Sequence, residues 1–396
     1  MPDYRPLSEE DRETFHAYTS YAFRPHEEPD EFDPEEDHWD LGANRAIYDG
    51  DEPLAVCRHY WFETTWRGVD IELPGLSAVA SPPEHRHGGN VRQLLLDSLQ
   101  EYRERGDPLS ALWPFKYAFY HKYGWDTTNH RGELEFDPAV LEPIVADLDD
   151  EGSFRRLDGG DWEAVDAVHR ELTAGEDFAI RRSEGWWRHR WFEGWDQDPY
   201  VYGWERDGEI AGYVNYKVED GDDGRTFAAW ELGAVDHEAY LHCLRFIYSH
   251  DSQVSTVTLH TGTDALLLDL VDDPQNVTVT EKTGPMVRVV DVVDALETMP
   301  YPSELETGLV LAVEDSLADW NDDRFELTVE DGEGTCTPTD ASPDVTLDIA
   351  ALSQLVIGYA PLSRLLKTAD IEADEHVRED LAALFPPRNV FLRDFF

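Results

Sequence analysis

The residues best placed to do chemistry lie in the run GLSAVASPPEHRHGGNVRQLLLDSLQEY, residues 75–102. At its centre Arg86-His87-Gly88-Gly89-Asn90 joins a small apolar segment, residues 76–80, to a stretch in which Val91, Leu94, Leu95, Ser98, Leu99 and Tyr102 recur at helical spacing. The first segment reads as a buried strand stopped by Pro82 and Pro83, the second as a helix with one buried face. Adjacent glycines at such a junction leave the first amides of the helix pointing outward. Unpaired amides and the positive end of a helix dipole favour an anion, and a diphosphate suits them. Arg86 and Arg92 add cations beside the turn, in a chain with only five lysines. A plain strand-to-helix turn with surface arginines explains the glycines as well, so the turn alone does not assign a function. The second unusual stretch is the end, Phe391-Leu392-Arg393-Asp394-Phe395-Phe396. Chain ends are ordinarily polar and disposable, whereas three phenylalanines in six residues predict a docked tail.

Composition bounds the rest. With 396 residues, 41% hydrophobic content and 13 Trp, 17 Tyr and 17 Phe, the chain should fold into two or three domains despite its charge. Asp and Glu number 85 against 32 Lys and Arg, a formal charge of -53. Such self-repulsion fades once the Debye length shrinks to about 3 Å near 1 M salt, which predicts a salt-rich cytosol. No basic stripe exists to meet nucleic-acid phosphates, which excludes that class of partner. Cys57, Cys243 and Cys336 are too dispersed for a disulfide framework or a zinc cage and read as buried free thiols. No run approaches the ~20 apolar residues of a spanning helix and no signal peptide opens the chain, so a cytoplasmic protein without membrane contact is expected.

Stepping along the chain, residues 8–21 predict a helix, and residues 27–40 form an acidic tract, read as a solvated loop rather than a lid or pocket wall. Asp49-Gly50-Asp51 and Arg67-Gly68 separate β-prone runs as hairpin turns would. After the helix come a short strand at 110–115 and the aromatic run Phe119-Tyr120-His121-Lys122-Tyr123-Gly124-Trp125. A second unit near Gly152 repeats the order of strands and helices, with a hairpin at Asp207-Gly208, but its crossing at 232–237 has one glycine and no arginine. Trp186, Trp187 and Trp191 read as core or interface packing rather than a pocket floor. Beyond Met299-Pro300-Tyr301-Pro302 the composition changes to short strands, turned at residues 331–334, and then helices.

The run VASPPEHRHGGNVR resembles the acetyl-CoA loop of the GNAT N-acetyltransferases, an Arg or Gln, two residues, Gly, one residue, then Gly or Ala. Arg86 and Gly89 match, and Val91 departs. That departure is shared by the enhanced-intracellular-survival (Eis-like) branch, which has a bulkier residue there followed by an arginine, as Arg92 is here. The aromatic run, the C-terminus and the domain order extend the resemblance over the whole chain. It implies an α+β protein with a catalytic GNAT domain at 1–150, a degenerate GNAT-like domain at 151–300 and a sterol-carrier-like domain at 301–396.

The resemblance also implies roles. Val79, Ala80 and Ser81 would pair with the pantetheine arm of acetyl-CoA, and Arg86, His87, Gly88, Gly89, Asn90, Val91 and Arg92 would hold its diphosphate. Phe115 and Lys116 would lie at the thiol end, with Tyr120 as acid and the terminal carboxylate of Phe396 as base, and no metal. A phenol with a pKa of about 10 can protonate a departing thiolate, and an α-carboxylate, ordinarily near pKa 3.5, becomes a better base when burial raises it. The acceptor would be a primary amine on a cationic small molecule, and the assembly a homo-oligomer, a hexamer in the resembling branch. The competing readings are an N-myristoyltransferase-like enzyme and a non-catalytic protein that binds a lipid or small amine.

Overall fold

The structure, a computed structural model, describes residues 2–26, 32–33, 41–149, 151–194, 198–221 and 224–396. The acidic tract at 27–40 lies outside these residues apart from Phe32 and Asp33. The chain forms two compact units, one of residues 1–129, 177–180 and 285–396, the other of residues 130–176 and 181–284.

The first unit opens with β1 (Asp3–Pro6) and α1 (Arg12–Phe23), followed by β2 (Ala43–Asp49), β3 (Glu52–Trp66) and β4 (Val69–Ala80). These four strands pair antiparallel in order. Arg67 and Gly68, with φ of 50° and 89°, form the left-handed two-residue turn that suits strand twist, and Trp66 pairs with Val69 across it. Next come α2 (Asn90–Arg105), β5 (Leu109–Leu112), α3 (Tyr117–His121) and β6 (Asp126–Thr127). On α2, Leu94, Leu95, Ser98, Leu99 and Tyr102 are buried, and the apolar ones pack against Ile47, Cys57, Leu76, Leu112, Tyr120 and Trp125. Each fully buried leucine contributes about 1.5–3 kcal/mol, so packing more than helical propensity holds α2 on the sheet.

The second unit contains β7 (His130–Phe136), β8 (Ser153–Arg156), α4 (Trp162–Leu172), β9 (Tyr200–Arg206), β10 (Glu209–Gly221), β11 (Gly224–Ala234), α5 (His237–Tyr248), β12 (Thr256–Thr261) and β13 (Val277–Thr283). Its sheet runs β13-β7-β12-β11-β10-β9-β8, with β12 parallel to β11 as β5 is to β4. The aromatic segment read as one helix is a short turn followed by a π-helix, Trp187–Phe192. Trp187 and Trp191 belong to the apolar core, and Trp186 is also buried, as a packing role requires.

β14 (Met286–Val289) pairs with both β5 and β6 and so lies in the first sheet, although its position in the chain suggested the second fold. β7 likewise sits in the second sheet, although it precedes residue 150. A short apolar run carries no mark of which sheet it completes. A third sheet follows, of β15 (Thr307–Glu314), β16 (Arg324–Glu330), β17 (Glu333–Pro338), β18 (Val345–Asp348) and β19 (Ile371–Ala373), in the order β17-β16-β15-β18-β19. It packs with α6 (Ile349–Ile357), whose residues are all buried. The three cysteines are free and buried. Among the described residues no helix is long and apolar enough to cross a membrane.

Candidate active site

The turn between β4 and α2 is built to present amides. Gly89 caps α2 at φ 83°, in the left-handed region, with no side chain to bond the helix start and no acid in the first turn. His87 is also left-handed, at φ 63°, a conformation uncommon outside glycine that clusters at functional turns. Two side-chain bonds to its own carbonyls hold the loop, Arg86 Nε donating to the Ser81 carbonyl at 3.0 Å and Asn90 Nδ2 to the His85 carbonyl at 3.0 Å. Beside it lies a cleft of about 680 Å³, lined by Ala22, Phe23, Val79, Ala80, Ser81, His85, Arg86, His87, Gly89, Asn90, Val91, Arg92, Phe115, Lys116, Phe119, Lys122 and Tyr123. Every residue expected to contact the cofactor lines this cleft except Gly88, which lies within the turn.

Charge sets the cleft apart. Among the described residues none of Arg86, Arg92, Lys116 and Lys122 forms an ion pair with a carboxylate, in a chain with 85 acidic residues. Arg92 Nη2 donates to the Ser316 carbonyl at 3.3 Å, and the Lys122 ammonium lies over the rings of Phe119 and Tyr123 at 4.7 and 4.4 Å. Uncompensated cations around unpaired amides are complementary to a polyanion. His85, Phe119, Lys122 and Tyr123 were not expected as lining residues. The Phe-Tyr-His-Lys-Tyr spacing around α3 could have pointed to the last three, since residues three apart share a helix face.

The second feature is a parting of strands. β4 and β5 are joined only through Gly75–Ala111 and Leu76–Leu112. Beyond that point β4 changes register against β3 and Ala78 adopts φ 51°, as a bulge does. Val79, Ala80 and Ser81 thus have no partner on β5, and their backbone can pair with an extended amide-bearing chain, as a pantetheine arm is. Cleft, cations and open strand edge together fit acetyl-CoA.

Tyr120 packs behind the cleft wall, its ring 5.5 Å from Phe115, 5.1 Å from Phe119 and 6.3 Å from Trp125. It is 3% exposed, and burial, reinforced by nearby Cys57, raises its pKa well above that of an ordinary phenol. Cys57 is itself pushed up to about 12 by burial, so it is a neutral thiol. Next to it His59 Nε2 lies 3.4 Å from Cys57 Sγ and 3.1 Å from Ser98 Oγ, and burial lowers its pKa to about 3. A neutral imidazole and an inaccessible thiol do not make a nucleophile.

The tail does dock. The Phe396 ring is 3% exposed and packs on Phe62 at 4.8 Å and Tyr60 at 6.2 Å. Gly75 makes the seat: a Cβ there would come within 2.8 Å of the Phe396 ring and 2.5 Å of Phe62. Gly75 also begins the last paired stretch of β4 and β5, so the chain ends beside the point where those strands part.

The corresponding helix start in the second unit is closed. Asp236 caps α5, its Oδ1 accepting from Ala239 N at 2.9 Å, and Glu238 occupies the first turn. Arg206 bonds both acids. On β11, past its last pairing with β12, the buried Glu231 accepts from Arg182 at 2.6 and 3.0 Å, from Trp191 Nε1 at 3.1 Å and from the Tyr213 hydroxyl at 2.7 Å.

Comparison with known proteins identifies the kinds of domain in the chain. Residues 3–128 and 179–289 each match an acetyltransferase (GNAT) domain, and residues 292–393 match a sterol carrier protein domain. An uncharacterized N-acetyltransferase of Streptomyces avermitilis is 26% identical over 332 residues, covering 81% of this chain and 80% of the relative. N-acetyltransferase Eis of Mycobacterium tuberculosis is 27% identical over 338 residues, covering 81% of each. In fold, a probable N-acyltransferase of Enterococcus faecalis superimposes over the full length of both chains with a TM-score of 0.86 at 22% identity.

Proposed function

We propose that this N-acetyltransferase, with two GNAT domains and a terminal sterol carrier domain, is Eis-like and acetylates a primary amine on a cationic small molecule by direct attack. The observation that carries the reading is the cleft at α2, where outward amides and cations that lack carboxylate partners among the described residues lie beside an open strand edge, with Tyr120 packed behind the cleft wall and Phe396 seated where β4 and β5 part. Bound acetyl-CoA would supply the acetyl thioester. Arg86, Gly89, Asn90, Val91 and Arg92 hold the diphosphate, with His87 and Gly88 shaping the turn, and Val79, Ala80 and Ser81 align the pantetheine arm. Phe115 and Lys116 flank its reactive end.

The Phe396 carboxylate takes a proton from the substrate ammonium, leaving a neutral amine to attack the acetyl carbon. As the carbon–sulfur bond breaks, Tyr120 gives its proton to the sulfur, and the proton that the new amide nitrogen sheds restores the phenol. Its raised pKa keeps the phenol protonated across the ordinary pH range, while lowering its strength as an acid. The neutral, buried Cys57 supports transfer without an acyl-enzyme. The three-domain division at 150 and 300, apart from the exchanged strands β7 and β14, a cytoplasmic location in high salt and a homo-oligomeric, hexameric assembly complete the proposal.

The test is acetyl-CoA turnover in molar KCl with a panel of primary amines, namely spermidine, lysine methyl ester and an aminoglycoside. Tyr120→Phe and a chain lacking Phe396 should each lose about 10²–10⁴-fold in kcat while still binding acetyl-CoA. Full activity in either form removes that group from the mechanism. Turnover of myristoyl-CoA in place of acetyl-CoA would favour the acyl-chain alternative.

A further inference from the structure

A terminal carboxylate can serve as a base only if the residues leading to it are held, because chain ends fray. Here the last nine residues are fastened in succession, mainly through their backbone. Arg388 Nε donates to Asp177 Oδ2 at 2.9 Å. Asp177 N donates to the Asn389 carbonyl at 2.8 Å, and Phe391 N to the Asp177 carbonyl at 2.9 Å, making a parallel bridge between Asp177 and Val390. Leu392 N donates to Asn129 Oδ1 at 3.0 Å. Trp113 Nε1 donates to the Asp394 carbonyl at 2.7 Å, and its ring lies 5.3 Å from that of Phe395.

The fastening points are themselves fixed. Asn129 and Asp177 are 6% and 4% exposed. Phe178 N donates to the Thr65 carbonyl at 2.9 Å and Thr64 Oγ1 to the Ala179 carbonyl at 2.8 Å, which ties the Asp177 segment to β3. Trp113 directly follows β5, the strand that parts from β4 beside the seat of Phe396.

We infer that Trp113, Asn129 and Asp177 are positioning residues that set where the Phe396 carboxylate lies, the bond from Trp113 being the one made nearest the chain end. This rests on the reading of that carboxylate as the base. Trp113 does more than fill space: its indole N–H bonds the carbonyl two residues before the chain end, so the bond acts at short lever arm on the terminal group. Because misplacement by about 1 Å can cost 10²-fold in rate, weakening any one clasp should show in kcat before it shows in cofactor binding.

The test uses Trp113→Phe, which keeps a ring against Phe395 but has no N–H, and Asn129→Ala, which removes the acceptor for Leu392. Steady-state kinetics with acetyl-CoA and the fastest amine of the panel above are measured in the full chain and in the chain lacking Phe396. In the full chain each substitution should lower kcat about tenfold with KM for acetyl-CoA within about twofold, the latter reporting an intact fold. In the chain lacking Phe396 the same substitutions should leave the residual kcat unchanged. Unchanged kcat in the full chain, or the same loss in both chains, overturns the inference. If removal of Phe396 costs nothing by itself, the base reading fails first and the inference falls with it.

Discussion

Two helix starts in this molecule follow the same order of strands and end in opposite chemistry. At α2 the cap is Gly89, the first turn has no acid, and the neighbouring cations lack carboxylate partners among the described residues. At α5 the cap is Asp236, Glu238 follows, and Arg206 neutralises both. The open edge beyond the last β4–β5 pair has its counterpart on β11, but there Glu231 and Arg182 are buried with two tryptophans and a tyrosine. The same supersecondary layout can hold a polyanion or stabilise itself, according to whether its polar groups are left for a ligand or satisfied within the chain.

The largest test of that contrast is Glu231→Ala, which removes the carboxylate that holds the buried Arg182 guanidinium through two bonds. It should destabilise the second unit by about 3–5 kcal/mol in urea unfolding while leaving acetyl-CoA affinity unchanged. Weakened acetyl-CoA binding in a folded Glu231→Ala chain would mean that the second fold also serves the cofactor. Gly89→Asp makes the first helix start resemble the second. Calorimetry should show acetyl-CoA binding about 100-fold weaker, with helix content retained, and a Kd within about twofold of the unaltered chain would break the comparison.

A smaller difference lies beneath the helices. α5 carries its buried histidine, His242, on the helix itself, stacked on Trp204, whereas α2 covers the neutral His59 of β3. Its folded pKa of about 3 lies below that of an unfolded histidine, so between about pH 6.5 and 3 the unfolded chain binds a proton that the folded chain refuses. Stability from this group is therefore present above that window and lost as pH falls through it. Between pH 7 and 5 the unaltered chain should lose about 2 kcal/mol more than His59→Gln, by urea unfolding. Parallel losses in the two proteins would show that the imidazole is not held neutral.

What was legible in the sequence was local. The hairpin at Arg67-Gly68, the helical period of Leu94, Leu95 and Leu99, and the glycine turn at Arg86–Arg92 each depend on neighbours within a few residues, and the structure forms all three. The docked tail was legible too, from three phenylalanines in six residues, although of the three only Phe396 is buried and Phe395 is 56% exposed. The placements of β7 and β14 were not, since either strand could complete either sheet. Nor were the tail contacts of Trp113, Asn129 and Asp177, which lie 281, 263 and 211 residues from the tail groups they bond.

By itself the sequence determined the elements, the domain order and the chemistry offered at the first helix start, because backbone turns, hydrophobic period and charge act over short stretches of chain. Only the tertiary structure decided that β4 parts from β5 beside the chain's last residue, that the cations at α2 stay clear of the acids among the described residues, and that Glu231 and Arg182 fill the second fold. Those outcomes depend on residues distant in sequence meeting in a packed interior, where one arrangement satisfies the buried groups and local pattern cannot name it.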